Sequence, residues 1–96
     1  MLLNLKNCNR SNIARFLEGK ETRDSCSFFF EPKSFWISTM LEEKGWIVMF
    51  DSKYGPDPKV HFTDATKAYA FYDFIVQLMT QDDLPNEVDV LEHGAI

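Results

Sequence analysis

The stretch VHFTDATKAYAFYDFIVQLMT, residues 60–80, decides how this chain folds. Lys59-Val60-His61-Phe62 has the apolar, β-branched character of a short strand. Thr63 follows, and its hydroxyl is predicted to cap a helix by accepting from a free N–H of the first turn. Asp64 then falls in the first turn, where the helix dipole favours a negative charge. Beyond it Ala68, Phe71, Tyr72, Ile75, Leu78 and Met79 recur at helical spacing and lay one broad apolar stripe. Such a stripe needs a sheet to cover it.

Working outward, the middle of the chain supplies that sheet. Ser25 to Glu31 contains Phe28-Phe29-Phe30 and stops at Pro32. Ser34 to Leu41 alternates, with Phe35, Ile37, Thr39 and Leu41 on one face and Trp36, Ser38 and Met40 on the other. Glu42-Glu43-Lys44-Gly45 reads as a hairpin loop in which Gly45 is free to take a positive φ. Trp46 to Asp51 is the returning strand. Both faces of this hairpin are apolar, so cover on more than one side is expected, and Trp36 is either covered by a first helix or offered to a partner. Ser52 to Lys59, with Gly55, Pro56 and Pro58, is a loop.

Met1 to Asn7 reads as an edge strand or extended arm, and Asn9 or Ser11 caps a short helix that Gly19 ends. The predicted fold class is α+β: a mainly antiparallel sheet of three to five strands with a helix near each end packed on it. Residues 1–81 form a single domain, and residues 82–96 form an acidic tail that is either disordered or a short ordered segment on the body. Pro85 ends the helix, and Val88, Val90 and Leu91 stand isolated among acids.

Charge placement is informative. Residues 1–80 hold ten acidic and ten basic side chains, whereas 81–96 hold Asp82, Asp83, Glu87, Asp89 and Glu92 with no Lys or Arg. The net charge of −5 therefore sits wholly in the C-terminal segment. Direct nucleic-acid binding is disfavoured, because phosphate affinity comes mainly from Lys and Arg. Attraction for a basic partner is the natural reading, with a merely solvated acidic end as the bland one. The chain lacks a membrane-length apolar run and begins without the features of a signal peptide, so a cytoplasmic protein without membrane contact is expected. Cys8 and Cys26 are then expected as thiols rather than a bridge.

Catalytic signatures are missing. Cys8, Cys26, His61 and His93 are not spaced as a zinc site, so no metal or cofactor is expected. No nucleophile elbow or phosphate-binding glycine loop occurs, and Glu42 and Glu43 on a turn are ordinary solvated acids rather than an acid/base pair. An enzyme is not expected.

Two units, Glu42-Glu43-Lys44-Gly45-Trp46-Ile47-Val48-Met49-Phe50 and Phe62-Thr63-Asp64-Ala65-Thr66-Lys67-Ala68-Tyr69, resemble the small immunity proteins of bacterial toxin systems, including contact-dependent inhibition systems. The resemblance is at the level of class, and no family residue transfers with it. It implies a protein that binds one cognate toxin domain and blocks its active site or substrate surface. Such toxins are often basic nucleases. On this reading the partner is a basic toxin domain, the free protein is a monomer or weak dimer, and the contacts come from Glu42, Glu43, Trp46, Asp51, Asp57, Asp82, Asp83, Glu87, Asp89 and Glu92. The alternatives are a phage-encoded nucleic-acid mimic that inhibits a host nucleic-acid-binding complex, and a small accessory or ligand-binding subunit.

Overall fold

In the computed structural model, residues 2–5, 25–30, 35–52, 56–81 and 83–96 are described, with the side chains of 25, 26, 29 and 30 left aside. The order is β1 (Leu2–Asn4), β2 (Ser25–Phe30), β3 (Phe35–Glu42), β4 (Gly45–Phe50), β5 (Lys59–Phe62), α1 (Ala65–Thr80), β6 (Glu87–Asp89) and a 3-10 turn (Val90–His93). The fold is α+β, as the pattern of strands and stripe predicts. A four-stranded antiparallel sheet runs β2-β3-β4-β5, and β1 pairs with β6 in a separate two-stranded ribbon. The expected first helix, from Asn9 to Gly19, lies outside the described residues.

The hairpin of β3 and β4 closes more tightly than its sequence suggests. Glu42 already pairs with Gly45, leaving only Glu43 and Lys44 in the turn. Gly45 sits at φ +129°, and a Cβ there would come 3.2 Å from the Phe62 carbonyl oxygen. A side chain at this position is therefore strained by both backbone and neighbour.

Alternation then sorts the sheet into two buried faces. Phe35, Ile37, Val48, Phe50, Val60 and Phe62 turn toward α1, while Trp36, Ile47 and Met49 form a second cluster on the opposite face. Trp36 is buried, so it is not offered to a partner. Polar residues accompany both faces. Thr39, fully buried, satisfies its hydroxyl by donating to the Ile47 carbonyl at 3.0 Å. The Ser38 hydroxyl, equally buried, has no hydrogen-bond partner among the described residues.

The helix buries Ala68, Phe71, Tyr72, Ile75 and Met79, with Leu78 at the margin of the stripe. Phe71 is the keystone, its ring 5.6 Å from Phe62 and 6.4 Å from Phe50. The cap is one residue later than expected: Asp64, not Thr63, is the N-cap, and its carboxylate accepts from the Lys67 N–H at 2.9 Å. Asp reaches the third residue of the turn with a full charge, which the helix N-terminus favours over a neutral hydroxyl. Asp64→Ala should lower stability by about 1 kcal/mol, read as a shift in the denaturant midpoint. Thr63→Ala should change it by only a few tenths, and equal effects would contradict this cap assignment.

The C-terminal segment takes the ordered form of its two sequence readings. Asp83 N–H donates to the Leu78 carbonyl at 2.9 Å, and Leu5 N–H to Asn86 at 2.8 Å, so the chain turns back along β1. Leu3 and Val88 then face each other across the ribbon and point inward. Val90 is fully buried, and Ala95 nearly so, in the same core that holds Phe71 and Ile75. Gly94 turns the backbone at φ +86°, letting the Ala95 N–H reach Val90 and the Ile96 N–H reach the His61 carbonyl on β5 at 2.9 Å.

Candidate interaction surface

Of the residues expected to meet a partner, Glu42, Glu43 and Trp46 lie at the hairpin end on one flank of α1, and Glu87, Asp89 and Glu92 belong to the ribbon and 3-10 turn on the other. With about 100° between successive helical residues, Tyr69 and Phe74 lie on either side of the buried stripe. Tyr69 meets Trp46, ring centroids 5.6 Å apart, at the closed end of the β3–β4 hairpin. Phe74 meets His93 at 4.5 Å, and the Lys67 side chain packs against Gly94, both on the side of the 3-10 turn.

At the hairpin end the acids do not converge. Glu42 is half-buried and bonds Lys59 at 3.2 Å, an exposed ion pair worth at most about 1 kcal/mol. Glu43 is exposed beside Lys44 in the turn, so the local charge is nearly balanced. Trp46 is half-buried against the core, opposite the exposed Leu41. Two expected contact residues are held elsewhere. Asp51 is only 5% exposed, and its N–H donates to the Trp36 carbonyl at 3.3 Å, which draws it into the sheet. It is a buried residue, not a surface acid. Asp57 turns its carboxylate back on its own loop, accepting from the Ser52 N–H at 3.0 Å.

The other flank is different. In the ribbon, Leu2 stands opposite Asp89 and Asn4 opposite Glu87, so these four share one outward face while Leu3 and Val88 share the inward one. Asp89 is spent partly on structure, since its carboxylate accepts from the Leu91 N–H at 3.1 Å and caps the 3-10 turn. That cap sets Leu91 and Glu92 outward next to the ribbon, both exposed. Leu2 is 62% and Leu91 56% exposed. Glu87 and Glu92 are exposed beside them, as is Asp83 where the chain leaves α1. Asp82 lies outside the described residues. The ribbon's outward face thus carries Leu2 beside Asp89 and Glu87, and Leu91 and Glu92 follow in sequence, exposed on the 3-10 turn.

Sequence reasoning found the acids of this face and missed its leucines. The signal was present: Val88 and Val90 alternate with Glu87 and Asp89, which is the pattern of a half-buried strand. Among the described residues no group of three His, Cys, Asp or Glu is placed to hold a metal, and no helix is long and apolar enough to cross a membrane. No family model matches the sequence, and no curated protein or solved structure matches it either.

Proposed function

We propose that this chain is an immunity-type inhibitor that binds a basic bacterial toxin domain, best suited by charge to a nuclease, and blocks its active site or substrate surface. The observation that carries the reading is the outward face of the β1–β6 ribbon and 3-10 turn, where Leu2 and Leu91 are exposed among Glu87 and Glu92. An apolar centre within a charged rim is the usual anatomy of a protein interface. The carboxylates accelerate encounter with a cationic partner, and the desolvated leucines slow its release. A stable interface buries about 800 Å² per partner, more than three strand pairs present. Contact therefore extends past Gly94 to the first turn of α1, where Asp64 is exposed.

The test begins with tagged protein retained against its native lysate at low and then high salt, with the bound partner identified by mass. Against that purified partner, the double reversal Glu87→Lys/Glu92→Lys should slow association at least about tenfold and flatten its salt dependence. Leu91→Ser should instead speed dissociation. Both variants replace exposed side chains and should melt within about 4 °C of the parent, since exposed positions away from packed features cost little. Unchanged binding by the reversed variant would remove this face from the mechanism. Capture of a host nucleic-acid-binding complex would move the reading to the mimic, and a stable dimer with no partner to the accessory subunit.

A further inference from the structure

We draw no further inference here: the strongest candidate, the partly exposed apolar patch of Leu41, Trp46 and Tyr69 at the closed end of the β3–β4 hairpin, carries nothing because nothing among the described residues shows what covers it.

Discussion

A chain ending after Gln81 is expected to lose its cooperative thermal transition altogether. The missing residues include Val88 and Val90, both in the core with Phe71 and Ile75. Burying each of these valines contributes roughly 1.5–3 kcal/mol. Their removal also takes away the only described partner of β1, leaving Leu3 and Leu5 to be exposed with it. Four such side chains sum to about 6–12 kcal/mol, an upper estimate because unfolded chains bury some surface already. Domains of this size have a total stability of about 5–15 kcal/mol. The sum is a large fraction of the whole, so truncation unfolds the protein rather than trimming an appendage. Circular dichroism melts decide the matter: a truncated chain that still melted cooperatively within a few degrees of the parent would refute it. For the same reason the acids of this segment are better tested by charge reversal than by deletion.

The second large effect is expected at Phe71. Its ring is 1% exposed and stands between Phe62, Phe50 and His93, so it touches the sheet and the C-terminal segment at once. Phe71→Ala removes that shared contact and leaves a cavity, at a cost of about 3–5 kcal/mol. With about 4–8 °C lost per kcal/mol in a domain of this length, the melting temperature should fall by more than about 12 °C. Phe71→Leu refills much of the space and should recover over half of the loss. If Phe71→Ala lost less than about 1 kcal/mol, the ring would not join these elements as described.

Much of the fold could be read from periodicity because long elements repeat their signal. The apolar stripe of α1 and the alternation of β3 and β4 each span enough residues to be unmistakable, and both lie where they were expected. Short elements offered less. β6 has three residues, and its one valine, Val88, gains an inward partner only when β1 supplies Leu3 opposite it. That pairing joins distant parts of the chain, so no local window contains it. The helix cap was ambiguous for a different reason, since Thr63 and Asp64 are both good caps, and the carboxylate of Asp64 together with its extended backbone decides between them. At the candidate surface, residue type identified carboxylates but not their surroundings. Asp51 closes the predicted returning strand and was expected at a partner's surface, yet its backbone bond to Trp36 keeps it inside. Glu42, Asp57 and Asp89 each have part of their carboxylate engaged by Lys59, Ser52 and Leu91 respectively. The Glu42–Lys59 pair depends on tertiary placement, whereas the other two are turn contacts made within a few residues of the acid.

The β1–β6 ribbon also sets an order of events in time. The β3–β4 hairpin closes across two residues, whereas the ribbon must bring Leu2 to Asp89 across nearly the whole chain. Each doubling of loop length adds about 0.6 kcal/mol of closure entropy, so the ribbon closes at a disadvantage of a few kcal/mol. Its three residue pairs return little backbone bonding against that cost. The ribbon should therefore dock late in folding and be the part that frays first in the native state, while its full release belongs to global unfolding. Native-state hydrogen exchange should find the Leu5 amide, bonded to Asn86, exchanging faster than the Phe50 amide, bonded to Pro58. Equal protection would show one cooperative unit. Faster opening would place the leucine–carboxylate face on the most readily released part of the molecule, where a bound partner would act as a clasp and slow the opening of the fold.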